Sequence, residues 1–252
     1  MKAISVITQT LDFGTLRFLA GAAKRGLTVK YLLIAPSVSM HPLRERQSVI
    51  RAKVLGRTSR GDRRNAAVSA KYTVLGICKR VGYRLVLLIF KLAYGLRVER
   101  LGADFSSVDS GCFRYVTVLY SLEGLISAEA LKRFPQGIIN IHPAPLPNYR
   151  GLDGGLWALN DDAQLGVSAY VVDEGIDTGA IIEFYPLSDA GQSLEEYLRN
   201  LKCLKLSSYF DAIEKKLAGE LRVPNPEIDK SQNRGVMSEE VLSNLRNGFP
   251  VH

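Results

Sequence analysis

The sequence predicts an α/β fold built on a doubly wound, mostly parallel sheet, with a basic helical insertion and a C-terminal helix plus tail. At 252 residues and 46% hydrophobic composition, the chain is long enough to bury a full core. Its first 35 residues follow a strand–helix–strand pattern, which is typical of a parallel sheet with helical crossovers. Strand-like apolar runs then alternate with helical segments, so we expect one domain over residues 1–221 and a tail at 222–252.

The opening strand–helix–strand unit is expected at residues 3–9, 14–26 and 27–35. Both strands are nearly continuous apolar runs, as in sheets covered on two faces. The helix places its apolar residues on one side, and Gly26 is a natural stop for it. The first strand is not followed by G-x-G-x-x-G, so the dinucleotide-binding fingerprint is absent from this unit.

A strongly basic segment follows the opening unit. Residues 43–100 carry fifteen Lys/Arg and three acids, a local charge of +12 within a chain of net charge +8. Residues 38–70 are expected to be loop with broken helix, and residues 72–95 an amphipathic helix. This segment is either a solvated insertion or a surface for an anionic partner: substrate phosphate, an anionic membrane or nucleic acid. The helix at 72–95 either packs on the core or docks on a surface.

The second half continues the alternation of strands and helices. Strands are expected at 114–120, 137–142, 166–173 and 180–187, and helices at 127–134, 151–160 and 193–221. Ser127 and Ser193 are suited to begin their helices, because a serine hydroxyl can accept a hydrogen bond from a free backbone N–H of the first turn.

Polar side chains stand at the end of the predicted strand 137–142. Asn140 and His142 are two residues apart, so they point to the same face of an extended strand. The three prolines that follow, at 143, 145 and 147, stop the strand and also prevent an immediate helix. Ligands in open α/β sheets bind at the carboxyl ends of strands. We therefore treat this pair as a candidate site, although a single N-x-H can also be purely structural.

Asp177, in the turn D-E-G-I-D, completes a candidate catalytic set with Asn140 and His142. An amide, an imidazole and a carboxylate are sufficient for acyl transfer to an amine without a covalent enzyme intermediate. Asn140 or protonated His142 would stabilise an oxyanion, while the carboxylate would orient the imidazole and accept a proton. The turn could equally be a glycine-containing hairpin.

The runs NIHPAPLPNYRG, WAL and GVSAYVVDEGIDTGAII resemble the signature of the 10-formyltetrahydrofolate-dependent formyltransferases. That family includes glycinamide ribonucleotide transformylase, methionyl-tRNA formyltransferase and the sugar N-formyltransferases. The resemblance is dense over residues 125–183, whereas residues 36–113 do not match convincingly. It implies the family's Rossmann-like fold, a transferase activity, and 10-formyltetrahydrofolate as the co-substrate with no metal.

The resemblance also implies roles for individual residues. Asn140, His142 and Asp177 fall on the family's catalytic asparagine, histidine and aspartate. Two segments fall where the family contacts the pterin of the folate, and a third set borders the amine acceptor. The pterin set is Leu125, Ile126, Val172, Asp173, Glu174 and Gly175, and the acceptor set is Pro143, Tyr149, Arg150, Gly151 and Trp157. A departure is Asp153–Gly154–Gly155, where the family often has a proline, so the acceptor can differ.

Three acceptor hypotheses remain open. A nucleotide-linked amino sugar is favoured, because basic residues suit a diphosphate and the tRNA-binding appendage of methionyl-tRNA formyltransferase is not seen. Methionyl-tRNA is the alternative, since +12 in one segment also suits a phosphate backbone. A third is a non-catalytic member that binds folate or a membrane. The amine acceptor would be a small molecule in the first case, and an oligomer is compatible with all three.

The location is expected to be cytoplasmic. The cysteines, Cys78, Cys112 and Cys203, are odd in number and far apart, which disfavours a disulfide framework and a metal site. The N-terminus lacks the pattern of a signal peptide, and no apolar run is long enough to span a bilayer. A membrane-peripheral location is the alternative if the basic segment binds lipid.

Overall fold

The fold is organised by a seven-stranded mixed sheet. The computed structural model describes residues 2–35, 42–55, 70–102, 105, 108, 110–122, 126–220 and 233–249. The strand order is β3-β2-β1-β4-β5-β7-β8. The first five strands in this order run parallel, and β7 and β8 complete the sheet through antiparallel pairs. The predicted fold class is confirmed.

The strands and helices follow the expected alternation. The strands are β1 Lys2–Thr8, β2 Leu27–Ile34, β3 Arg97–Arg100, β4 Val116–Ser121, β5 Ile138–His142, β6 Arg150–Gly151, β7 Gly166–Val171, β8 Ile181–Pro186 and β9 Asn233–Arg234. The helices are α1 Phe13–Lys24, α2 Pro42–Val54, α3 Ala70–Tyr94, α4 Ala128–Leu131, α5 Gly154–Asn160, α6 Leu194–Ala218 and α7 Glu239–Asn247. A short 3-10 turn covers Ser110–Arg114. Ser127 and Ser193 cap α4 and α6 through their side chains, as predicted.

Two apolar clusters cover the two faces of the sheet. The larger one joins α1, α3 and α6 to one face, with Phe18 of α1 and Tyr209 of α6 at 0% exposure. The second cluster lies on the other face, where Phe113 of the 3-10 turn and Phe134 after α4 pack edge to face at 4.9 Å between ring centroids. Burial on both faces explains why the central strands are continuous apolar runs.

The structure departs from the sequence predictions in several places. The helices expected at 127–134 and 151–160 are the shorter α4 and α5, and the unpredicted strand β6 precedes α5. Part of the expected broken helix at 38–70 is the regular helix α2, while residues 56–69 lie outside the described residues. The edge strand β3 was not predicted, since its sequence, RVER, has little apolar character. The weakly patterned C-terminal segment forms β9 and α7, and Leu242 of α7 joins the larger apolar cluster. None of the described helices is both long and apolar enough to cross a membrane.

Candidate active site

Strand β5 places the two predicted polar side chains at the carboxyl edge of the sheet. In the antiparallel pairing with β7, Asn140 is opposite Tyr170 and His142 is opposite Ser168. Directly paired residues share a face, so these four side chains lie together. Ser168 also shapes the proline loop: its hydroxyl donates to Ala144 O at 2.8 Å and accepts from Leu146 N at 2.9 Å.

His142 is buried between two acceptors. Its Nδ1 lies 3.1 Å from Asp177 Oδ2, and its Nε2 lies 2.6 Å from the backbone oxygen of Tyr149. A carboxylate and a carbonyl oxygen can only accept hydrogen bonds, so both ring nitrogens face acceptors, and each can bond to its acceptor only as an N–H. The geometry therefore favours the imidazolium form of His142, paired with the Asp177 carboxylate.

Asp177 connects three elements through one carboxylate. Besides facing His142, its Oδ2 accepts from Gly151 N at 3.0 Å, and its Oδ1 accepts from the Tyr170 hydroxyl at 2.7 Å. Its backbone is left-handed, with φ of 52°, a conformation that aspartate tolerates better than most residues. The turn thus aims the carboxylate back at β5 and β7.

Tyr170 bridges Asn140 and Asp177, a role that sequence reasoning missed. Asn140 Nδ2 donates to the Tyr170 hydroxyl at 2.9 Å, and that hydroxyl donates to Asp177. Burial, and then the Asp177 charge, raise the pKa of Tyr170 well above its usual value. The hydroxyl therefore stays protonated across the physiological pH range. The alternation of side chains along a strand places Tyr170 on the same face of β7 as Ser168. Only the register between β5 and β7 puts Tyr170 opposite Asn140.

The amide of Asn140 is fixed in one orientation. Its Oδ1 accepts from the backbone N–H of Ile141 at 2.8 Å, which must be a donor, so Nδ2 points to Tyr170. The Tyr209 hydroxyl lies 3.1 Å from the same Oδ1. One hydrogen of Nδ2 is used by Tyr170, and within the described chain the second has no bonding partner. Asn140 therefore keeps one oriented donor available for a ligand.

The two predicted pterin segments lie near each other on the second apolar cluster. Ile126 is buried in that cluster, and Val172 packs against it. In the turn, Asp173 Oδ1 accepts from Gly175 N at 3.1 Å and from Thr178 Oγ1 at 2.6 Å, which holds the turn in shape. Glu174 is exposed. Leu125 lies outside the described residues.

The predicted acceptor residues pack against the C-terminal segment. The Arg234 guanidinium lies over the rings of Tyr149 and Trp157, at 5.4 and 5.6 Å from their centroids. Trp157 also donates from Nε1 to Gly235 O at 2.9 Å, and β6, which contains Gly151, pairs with β9. The contribution of the C-terminal segment to this region was not predicted.

The predicted acceptor set has two further residues, Arg150 and Pro143, whose surroundings the structure shows. The Arg150 side chain is fully buried. Pro143 is partly buried, and its backbone oxygen lies beside Gly155.

The glycines that depart from the family pattern are required by close contacts. A Cβ on Gly154 would lie 2.4 Å from Tyr149 O and 2.8 Å from His142 Nε2, and one on Gly155 would lie 2.4 Å from Pro143 O. Real Cβ atoms do not approach backbone oxygens this closely. The double glycine therefore lets α5 begin directly against the His142–Tyr149 contact.

Asp153 joins this loop to two distant parts of the chain. Its side chain, 2% exposed, is paired with Arg51 of α2 and accepts from Gln47 Nε2 at 2.5 Å. The other carboxylate oxygen accepts from Met237 N at 3.0 Å. Asp153 directly precedes α5. Its side chain therefore connects the start of this helix to the basic segment and to the C-terminal segment.

Metal ligation is not suggested by the described side chains. Among the residues that the structure describes, no group of three or more His, Cys, Asp or Glu is arranged to hold a metal ion.

Comparisons with known proteins show what the site-bearing segment is similar to. Residues 114–202 match the family model described as formyl transferase. A GDP-perosamine N-formyltransferase of Brucella melitensis biotype 1 is 41% identical over 59 residues, 23% of this chain and 23% of that protein. A methionyl-tRNA formyltransferase of Synechococcus sp. (strain JA-3-3Ab) is 41% identical over 70 residues, 27% of this chain and 21% of that protein. The matches thus span less than a quarter of these relatives.

A solved structure shows the same fold over nearly the whole chain. Glycinamide ribonucleotide transformylase 1 from Symbiobacterium toebii superposes with a TM-score of 0.53 at 16% identity, covering 94% of this chain and 95% of that one. At this identity the similarity concerns the fold alone. Residues 114–202 match the formyl transferase family model, and the resemblance seen in the sequence is confirmed there.

Proposed function

We propose that this protein is an N-formyltransferase that moves a formyl group from 10-formyltetrahydrofolate to a primary amine. The observation that carries the proposal is the connected set of Asn140, Tyr170, Asp177 and His142 at the carboxyl end of β5. It supplies an oriented amide donor, which the Tyr170 hydroxyl joins to a carboxylate, and an imidazole that lies 3.1 Å from the same carboxylate. These are the groups that acyl transfer to an amine requires.

The residues near the turn at 173–178 suit a folate. A pterin is a flat heterocycle with many donors and acceptors, so it needs apolar contact beside exposed polar groups. Ile126 and Val172 supply apolar surface in one cluster, and the adjoining turn presents the exposed Glu174. When bound, 10-formyltetrahydrofolate supplies the formyl group and takes up a proton on the nitrogen that is freed.

In the proposed mechanism the amine attacks the formyl carbon directly. The second N–H of Asn140 and the Nε2–H of His142 stabilise the oxygen that becomes negative. Collapse of the tetrahedral carbon breaks its bond to the folate nitrogen, to which His142 donates a proton. His142 then recovers a proton from the attacking amine. The enzyme therefore neither gains nor loses a proton over the whole reaction. Asp177 holds the imidazole in place and stabilises its charge.

The contact between His142 and Tyr149 has a consequence for substrate binding. The Nε2–H of His142 now points at the Tyr149 carbonyl oxygen, 2.6 Å away. Only one strong acceptor can take this hydrogen bond, so the formyl oxygen must replace that carbonyl. Binding of the formyl group therefore requires residues 149–151 to shift.

For the acceptor, we propose an amino sugar carried on a nucleotide. The name of the Brucella relative, GDP-perosamine N-formyltransferase, supports this choice, as does the basic segment, which suits a diphosphate. The Synechococcus relative supports methionyl-tRNA as the alternative. The odd number of cysteines supports a cytoplasmic location.

A two-stage experiment tests the proposal. Calorimetry with a non-reactive folate analogue should detect binding without any acceptor, and formyl transfer should then be measured with nucleotide-linked amino sugars and with initiator methionyl-tRNA. A nucleotide sugar makes few phosphate contacts, so its binding should weaken only modestly with salt, whereas tRNA binding should fall steeply. Absence of folate binding by folded protein would refute the donor. Formylation of tRNA alone would refute the proposed acceptor.

A further inference from the structure

Helix α3 exposes an apolar stripe that no described part of the chain covers. Five of the eight large apolar side chains exposed in the described residues lie on this helix. Four of them form the stripe, with exposed fractions from 49% to 80%: Leu85, Leu88, Ile89 and Leu92. Their spacing of i, i+3, i+4 and i+7 puts them on one face.

The opposite face of α3 already supplies the helix with its core contacts. Leu87 is buried in the larger apolar cluster, and Phe90 packs against the same cluster. The outward stripe is therefore not needed for docking the helix onto the sheet. Because exposing such residues to water is unfavourable, a contiguous stripe of them indicates a partner.

The charge of α3 has a single sign. The helix carries five cations and no acidic residue: Lys71, Lys79, Arg80, Arg84 and Lys91. Arg84 and Lys91 are exposed and adjoin the stripe, since Arg84, Leu88 and Lys91 follow each other at helical spacings of four and three. An apolar stripe edged by cations is the pattern of a helix that lies in a membrane interface.

We propose that α3 docks this protein onto an anionic lipid surface, with Leu85, Leu88, Ile89 and Leu92 in the acyl boundary and Arg84 and Lys91 among the headgroups. A second copy of the chain fits less well, because a symmetric contact would bring each helix's cations against the same cations of its partner. Nucleic acid also fits less well, because phosphates would neutralise the cations and leave the stripe in water. The proposal is independent of formyl transfer.

Sedimentation of the full chain with vesicles tests this proposal. We expect binding to phosphatidylcholine vesicles that contain phosphatidylglycerol, little binding to phosphatidylcholine alone, and weakening by salt. The double variant Leu88→Gln/Leu92→Gln should lower the partition coefficient by about tenfold or more. Phe13→Gln, which removes an exposed aromatic side chain from α1, is its matched control and should bind as the wild type does.

A charge variant gives a second measurement on the same face. Arg84→Gln/Lys91→Gln should weaken binding by roughly fivefold for each charge removed. Arg199→Gln/Lys202→Gln removes two exposed cations from α6 and should have little effect. Circular dichroism confirms that each variant is folded.

Three results would overturn the proposal. The first is that phosphatidylglycerol vesicles do not bind, or bind Leu88→Gln/Leu92→Gln equally well. The second is a dimer in analytical ultracentrifugation that this variant dissociates, without vesicle binding, because a second copy would then cover the stripe. The third is binding to an RNA duplex that only the charge variant loses, again without vesicle binding.

Discussion

Two regions of this chain treat polar and apolar side chains in opposite ways. In the site at β5 and β7, the polar side chains are buried or half-buried and bonded to one another. One chain of hydrogen bonds runs from Asn140 through the Tyr170 hydroxyl to Asp177. In α3, large apolar side chains face outward beside exposed cations. We have proposed that the first arrangement serves formyl transfer to an amine and that the second serves docking on an anionic lipid surface.

The largest expected effect concerns the carboxylate of the site. Asp177→Asn keeps the shape of the side chain but removes the charge opposite His142. It should lower kcat for formyl transfer by about 100- to 1000-fold, by analogy with the loss of a group that stabilises the transition state. Steady-state rates with folded variants measure this. Asp189→Asn, an exposed aspartate away from the site, is the control, and equal rates for both variants would remove Asp177 from the mechanism.

Substitution of two leucines by alanine compares a buried position with an exposed one. Leu201 of α6 is 5% exposed and Leu92 of α3 is 80% exposed. Leu201→Ala should lower the free energy of unfolding by about 2–5 kcal/mol, because it leaves a cavity. Leu92→Ala should change it by less than about 0.5 kcal/mol. Urea denaturation measures both, and a comparable loss for Leu92→Ala would mean that its side chain is packed.

The contact between Asp153 and Arg51, which joins the loop before α5 to α2, is expected to contribute moderately to stability. Asp153→Asn leaves Arg51 without its carboxylate and weakens the hold on Met237 N. Because Arg51 is about one-third exposed, water compensates part of the loss, and we expect about 2 kcal/mol. Asp161→Asn, which breaks a more exposed pair with Arg234, should cost less than about 1 kcal/mol. Equal losses in thermal or urea unfolding would contradict the importance of the buried junction.

The smallest expected effect concerns the bridging tyrosine. Tyr170→Phe keeps the ring and removes the hydroxyl that joins Asn140 to Asp177, so both groups lose orientation. We expect kcat to fall by about tenfold, from the loss of roughly 1–2 kcal/mol of hydrogen bonding, with little change in KM. Because the pKa of Tyr170 is raised, the neutral hydroxyl does not titrate near neutrality. The shape of the pH–rate profile should therefore be retained, and an unchanged kcat would show that the bridge is dispensable.

Much of the fold could be predicted because its signals are local. Apolar runs, serine caps and glycine stops each depend on neighbouring residues, and they located β1, α1, β2 and most later elements. The strand β3 was missed because its short sequence has little apolar character. The helix α7 was missed although Ser238, the two acids of its first turn and the spacing of Val241, Leu242 and Leu245 are local helix signals. Pairing with β2 stabilises β3, and packing of Leu242 in the core stabilises α7.

The sequence by itself determined the fold class and the common face of Asn140 and His142, because strand periodicity and proline stereochemistry are properties of adjacent residues. Residue type also made Asp177 a candidate, and the likeness to a known family supported that choice. Only the tertiary structure decided that Tyr170 bridges the site, that Asp153 meets Arg51 and Met237, and that Arg234 covers Tyr149 and Trp157. Each of these contacts joins side chains from different elements, and no local pattern specifies which of many polar groups will become neighbours after folding.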